Sequence, residues 1–327
     1  MNEKRVLFRC NADHATGFGH VSRCLSVARE LRQSVDHICF ALGSGDAVRR
    51  VQERGFTAAV LSGNDADAAF EQLVSRMRPS ILVMDVRPAH SEACLRAVRA
   101  LVPTIAVIDD SSRQRLFADH VFLPPTPTTK QLDWTDFKGQ IHMGLEWMPL
   151  GDTFEPCPPS PWPGTGPRRL LMTMGGSDPW GYTMALAPEL DAVCRLQGME
   201  LGIVIGPGFA QREQQIETCT ALPCRPRIFD SPARMTEVYQ WCHVALIVFG
   251  VTAYELAACA RPALYVCPNA DYKEHAGVFV AEGKGRIWPL RPYSLAFLSD
   301  VLEKMFMLTF APLPNAGAKS IANLVQL

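Results

Sequence analysis

The chain has 327 residues, 48% apolar and 20% charged, with a formal net charge of −1. That length allows two domains, each able to bury its own core, and the neutral balance argues against nucleic acid as a partner. No apolar run is long enough to span a bilayer, and the charged opening "MNEKRVLFRC" leads into a strand without a secretory h-region, so a cytoplasmic location is expected. Eleven cysteines, scattered singly with no C-x-x-C, point to reduced core thiols rather than a disulfide frame or zinc site.

In chain order, β-rich runs at 5–10, 36–42, 57–61, 81–85 and 104–109 predict strands. Between the first two, "HVSRCLSVARELRQS" repeats Val21, Leu25, Ala28 and Leu31 at helical spacing, with Cys24 on the same face. Continuous apolar strands separated by helices predict a parallel sheet covered on both faces. Residues 151–169, "GDTFEPCPPSPWPGTGPRR", are rich in proline and glycine and are read as an interdomain linker. The alternation then restarts with "RLLMTM", "LGIVIG", "CRPRIF", "HVALIVFG" and "RPALYVC", and ends in helices over 295–308 and about 315–326. The expected architecture is α/β, with two Rossmann-like doubly wound domains (1–150 and 151–327) facing a central cleft.

Several turns at expected strand ends carry the chemistry. Gly17-Phe18-Gly19-His20 is not a dinucleotide fingerprint, because Ser22 stands where the third glycine belongs, and no P-loop lysine follows. His20 opens a helix, where the field disfavours imidazolium; a neutral ring facing a cleft can take a proton, and the bland alternative is a capping or packing histidine. Gly175-Gly176-Ser177-Asp178 opens the next domain's first helix, with Ser177 as cap or phosphate ligand. Gly206-Pro207-Gly208 is a tight turn that admits close backbone approach. Gly250, Val251 and Thr252 form a further strand-to-helix turn, and Glu255, one turn on, suits two ribose hydroxyls or simply the helix dipole. Asp85 and Asp109-Asp110 end strands, where they contact a sugar, orient His20 or cap helices. His90, His120, His142 and His243 lack partner spacing, and no H-E-x-x-H or Cys/His cluster appears, so neither metal nor cofactor is expected.

Together these loops resemble a known family. "FRCNADHATGFGHVSRCLSVARELR", with G-F-G-H followed by Arg23, is similar to the N-terminal signature of the UDP-sugar hydrolase of pseudaminic acid biosynthesis. "DDSSRQRLFADHVF", "GLEWMPLGDTF", "MTMGGSDP", "VIGPGF" and "GVTAYELAACARPALYV" follow in that family's order, so the resemblance covers nearly the whole chain. The family belongs to the GT-B group and is similar to the glucosaminyltransferase that forms lipid II. The resemblance implies a nucleotide-sugar site between the two domains. Gly175, Gly176, Ser177 and Gly206 would lie near UDP, Gly250, Val251 and Thr252 at the diphosphate, and Glu255 on the ribose. Gly17, Gly19, Arg23, Asp85 and Asp109 would lie on the sugar side. His20 would be the base, activating water to break the C1–O bond with inversion and without metal. The chain departs from the family at Asp85-Val86-Arg87, at Val248-Phe249-Gly250, and at "PNADYKEH", where Asp271-Tyr272 replaces an Asn-Gln pair unless Asn269 fills that role. A rewritten sugar contact is expected there. Three functions follow: hydrolysis of a UDP-linked deoxy-diacetamido sugar, glycosyl transfer to a glycan or protein acceptor, and nucleotide-sugar binding without chemistry.

Overall fold

The computed structural model describes residues 3–10, 19–43, 45–61, 65–87, 90–289 and 294–326. The chain divides into two compact units, Met1–Asp152 with Pro314–Leu327, and Thr153–Leu313. Unit 1 runs β1 (Arg5–Cys10), α1 (Gly19–Leu31), β2 (His37–Leu42), α2 (Asp46–Glu53), β3 (Thr57–Val60), α3 (Ala66–Met77), β4 (Ile81–Asp85), α4 (Glu92–Arg99), β5 (Thr104–Ile108), β6 (His120–Leu123), α5 (Pro127–Lys130) and β7 (Gln140–Met143). Unit 2 runs β8 (Arg168–Thr173), α6 (Tyr182–Gln197), β9 (Met199–Ile205), α7 (Arg212–Thr220), β10 (Arg227–Asp230), α8 (Met235–Trp241), β11 (Val244–Val248), α9 (Val251–Ala258), β12 (Ala263–Val266), α10 (Ala270–Ala281), β13 (Gly285–Ile287) and α11 (Leu295–Phe306). A last helix, α12 (Gly317–Leu324), returns to unit 1.

Both sheets are parallel, in the orders β3-β2-β1-β4-β5-β6-β7 and β10-β9-β8-β11-β12-β13. Their central strands are buried because helices cover both faces: every residue of β4 and the last five of β1 are buried, while the edge strands β7 and β10 carry polar residues. The strand order reverses between β1 and β4 in one unit and between β8 and β11 in the other. Loops leaving the carboxyl ends at such a reversal diverge and leave a crevice. Cys10 pairs level with Asp85 at the first reversal, and Thr173 with Ile247 at the second. None of the helices described is long and apolar enough to cross a membrane.

The expected strands of both halves are present, joined by β6, β7 and β13, which are only three or four residues long and too short to show a period. The tail is a correction. The reading by continuity put it in the second domain, but α12 packs on α1, burying Ile321, Ala322 and Val325. The proline-rich stretch is not a free linker over its whole length either. Phe154 and Cys157 are buried, and the Cys157 N–H donates to Cys259 Sγ at 3.2 Å, fastening this segment to unit 2.

Two glycine turns of unit 2 lock together. Gly175 has φ +83°, a left-handed conformation that favours glycine. The Gly208 N–H donates to the Gly176 carbonyl at 2.9 Å, and a Cβ on Gly206 would collide with that carbonyl. Gly206→Ala is therefore expected to destabilise the chain by about 1–3 kcal/mol in chemical denaturation, as overpacking against backbone does. An unchanged midpoint would show that the two turns yield freely.

Candidate functional site

In unit 1 the site is built on α1, whose buried stripe of Val21, Cys24, Leu25, Ala28 and Leu31 fixes its rotation against the sheet. Its first turn is tied down by Asp152, which accepts from Ser22 Oγ at 3.0 Å and Arg54 Nε at 2.5 Å. That rotation aims His20 and Arg23, one turn apart, at the end of β4. His20 Nδ1 lies 2.6 Å from Asp85 Oδ1. Arg23 donates from Nη2 and Nε to the two Asp85 oxygens, at 2.8 and 3.0 Å, and from Nη1 to Asp109 Oδ2 at 2.8 Å. Asp109, just past β5, has φ +54° and its carbonyl accepts from Arg87.

The electrostatics select one arrangement of protons. Burial opposes ionisation of Asp85, but the Arg23 guanidinium and the His20 ring outweigh it and hold the carboxyl below the usual carboxylate range. Burial likewise opposes the Arg23 charge, and Asp85 with Asp109 overcomes it and raises the guanidinium's pKa. An ionised Asp85 can only accept, so His20 Nδ1 carries the proton and donates it. The Arg23 Nη2 contact with Nδ1, at 3.0 Å, is then proximity rather than a hydrogen bond. In the neutral ring Nε2 then carries the lone pair, and no described residue engages it on a side chain 21% exposed, as a general base requires.

Of the sugar-side residues expected from sequence, His20, Arg23, Asp85 and Asp109 come together. Gly19 opens α1, and Gly17 lies outside the described residues. Asp85 and Arg23 are buried and committed to each other, so their geometry suits holding His20 rather than touching a sugar.

In unit 2 the expected residues gather at the β8–β11 reversal. Ser177 is not a helix cap: α6 begins five residues later, behind Gly181, and the Asp178 carboxylate accepts from the N–H groups of Tyr182 and Thr183 at 2.9 and 2.7 Å. Asp178 thus already fills the anion position at that helix start. α10 is capped by Asn269, which accepts from the Tyr272 N–H at 3.2 Å, so Asn269 is committed to a structural bond. α9 differs. It starts at Gly250-Val251-Thr252 with no side-chain cap; the Ala253 N–H donates to the Gly250 carbonyl at 2.9 Å, and no described residue takes the N–H groups of Val251 and Thr252, which suit a diphosphate. The extended Gly250 leaves open space where a Cβ would stand.

Glu255 sits one turn into α9, half-buried. Its Oε2 accepts from the Tyr239 hydroxyl at 2.6 Å. Burial pushes its carboxyl pKa up, and the Tyr239 hydrogen bond counters only part of that. Tyr239 is itself fully buried, and its carbonyl accepts from Arg261 Nε at 3.0 Å. Arg261, 1% exposed, also donates to the carbonyls of Cys242 and Cys259, both at 2.9 Å. Sequence reading missed both residues. An arginine inside the apolar run "LAACARPALYV" is a usable signal, since buried charge needs partners.

The four other histidines singled out from the sequence have structural partners. His120 and His142 stack with Phe122, and His243 Nδ1 accepts from the Arg169 N–H at 3.1 Å. Among the described residues Asp67, His90 and Cys94 bring possible metal-ligand atoms within 4.8 Å. However, Arg9 Nε donates to His90 Nε2 at 2.9 Å, which leaves the ring proton on Nδ1 to bond Asp67 at 2.6 Å. Both ring nitrogens are engaged, and burial pushes the Cys94 thiol up to about 12. This is a hydrogen-bonded network, not a ligand set.

No family model matches the chain. An uncharacterized protein of Methanocaldococcus jannaschii is 22% identical over 271 residues, 79% of this chain and 54% of the relative; the chain spans about half the length of the curated relative it matches. Among solved structures, Acinetobacter baumannii MurG superposes with a TM-score of 0.70 at 16% identity, covering 99% of each chain. The spinosyn forosaminyltransferase SpnP superposes at 0.65 and 14% identity, over 99% of this chain and 95% of its own. Neisseria meningitidis UDP-GlcNAc 2-epimerase, bound to UDP-GlcNAc, superposes at 0.62 and 9% identity, over 99% and 100%. At these identities the likeness is one of fold, and with the two parallel sheets it gives this chain the GT-B fold.

Proposed function

We propose that the chain is a glycosyltransferase that takes a nucleotide-activated sugar, with UDP as the nucleotide, and passes the sugar to a glycan or protein acceptor. The observation that carries this reading is His20, held by Asp85 with its Nε2 lone pair open, in a chain of GT-B fold. In this reading Nε2 takes the proton from an acceptor hydroxyl. The oxygen attacks the anomeric carbon, and the C1–O bond to the diphosphate breaks with inversion. The first turn of α9 receives the leaving charge, and Glu255 accepts from the ribose. Structural neighbours named for forosaminyl transfer and for UDP-GlcNAc support this class of substrate.

A second reading is hydrolysis of a UDP-linked deoxy-diacetamido sugar, with water in place of the acceptor. The motif G-F-G-H with Arg23 favours it, since that is the signature shared with the pseudaminic acid hydrolases. One experiment separates the readings. The intact chain is incubated with a panel of UDP-sugars, with and without glycan and protein acceptors, and UDP and free sugar are followed. Transfer predicts UDP release that requires an acceptor. Release of UDP and free sugar without one selects hydrolysis, and UDP binding without turnover in either case reduces the protein to a binder.

A further inference from the structure

Unit 2 holds a second recess, at the carboxyl edge of β12 and β13. It encloses about 220 Å³ and is walled by Tyr182 and Leu186 of α6, Val266 at the end of β12, and Trp288 just past β13. Tyr182 and Leu186 are four residues apart and so share one face of α6. Leu186, Val266 and Trp288 belong to the core of the unit, so the recess opens directly off packed apolar side chains. Cys267 and Lys273, from the turn after β12 and the first turn of α10, also line it, with Ile287 and Pro289 beside Trp288.

Size and polarity restrict what fits. Small-molecule sites usually measure about 300–1,000 Å³, so this recess lies below that range and suits one ring or a short acyl chain. An unmodified hexose would bury hydroxyls against walls that offer few partners, which is unfavourable. Among the described residues the lining carries one formal charge, the Lys273 ammonium, and no carboxylate pairs with it; its neighbour Asp271 lies instead 3.8 Å from His275. Beside Tyr182 the ring of Trp180, 44% exposed, lies 5.5 Å from that of Tyr272 and 6.3 Å from that of Tyr182, forming an aromatic rim.

We propose that this recess is a ligand pocket for a small apolar carboxylic acid, its body between Leu186, Val266 and Trp288 and its carboxylate on Lys273. A single ammonium matches a monoanion better than a phosphate, which calls for several donors. β12 neighbours β11 in the sheet, so the pocket lies about 5–10 Å along the same edge from the Gly250 turn. The pocket stands independently of the nucleotide-sugar reading.

Benzoate and its neutral counterpart benzamide are the probes, titrated by calorimetry into the intact chain. Benzoate is expected to bind one site and benzamide about fivefold more weakly, the scale of one solvent-facing charge pair. Lys273→Gln should bring benzoate down to the benzamide level and leave benzamide unchanged. Cys267→Phe should fill the recess and abolish binding of both. Lys273 is exposed, so its variant keeps the test decisive even if Cys267→Phe folds poorly. Equal affinity for the two probes, or no benzoate binding up to about 10 mM, would overturn the assignment.

Discussion

Replacing His20 with alanine is expected to lower turnover of a nucleotide sugar by about 10²–10⁴, the range supplied by a positioned general base. UDP affinity should stay within about twofold of the parent, because the α9 turn and Glu255 belong to unit 2 and owe nothing to His20. The fall should therefore appear in kcat and not in nucleotide binding. Little structural cost is expected, since the ring is partly exposed and, among the described residues, its hydrogen bond goes to an Asp85 that Arg23 still pairs. Steady-state kinetics with UDP titration on the same preparation checks both halves. Full turnover in His20→Ala would remove the base from the mechanism.

Asp85→Asn is expected to cost more broadly. It leaves Arg23 buried with only Asp109 as a charged partner, and breaking a buried pair typically costs about 3–5 kcal/mol; the surviving Asp109 contact places this variant near the lower figure. It also removes the acceptor that sets the His20 tautomer. The amide can present its NH₂ to Nδ1, which would shift the ring proton to Nε2 and close the base, so kcat should fall by about 10² or more. The pH dependence has a definite sign. The Asp85 pKa is lowered in the folded state, so its contribution to stability is present above the unfolded value of about 3.9 and is lost as pH falls through the folded value. Denaturation midpoints of parent and variant should thus lie furthest apart at neutral pH and converge in acid. A gap that stays constant below about pH 4 would show that Asp85 is not ionised in the folded protein.

Much of this architecture is legible in the sequence because hydrophobic periodicity reports burial directly. The α1 stripe and the runs "RVLFRC", "ILVMD" and "LGIVI" lie where their patterns put them. Short edge elements such as β7, "QIHM", carry no such signal, and the tail helix could be recognised but not assigned to a unit, since a pattern shows that a face is buried and not what it meets. The site divides in the same way. A glycine turn, an arginine and two strand-end aspartates are visible there, yet only the fold shows that Asp85 spends both oxygens on His20 and Arg23. Ser177 looked like a cap because it follows two glycines, but Asp178 stands one residue nearer the helix and its carboxylate takes two N–H groups at once.

Glu255 links stability to function in unit 2. Its carboxyl pKa is raised by burial, so Glu255→Gln should keep the Tyr239 hydrogen bond through the amide oxygen and leave neutral-pH stability equal or higher. The cost should fall on ribose recognition. The central claim, that this fold holds a nucleoside diphosphate on α9, is tested most directly by calorimetric titration of UDP into the intact chain with a chelator present. Saturable one-site binding is predicted, unaffected by the chelator and weakened about tenfold or more in Glu255→Gln, as expected when a charged hydrogen-bond partner is lost. Absence of UDP binding, or binding indifferent to Glu255→Gln, would contradict it.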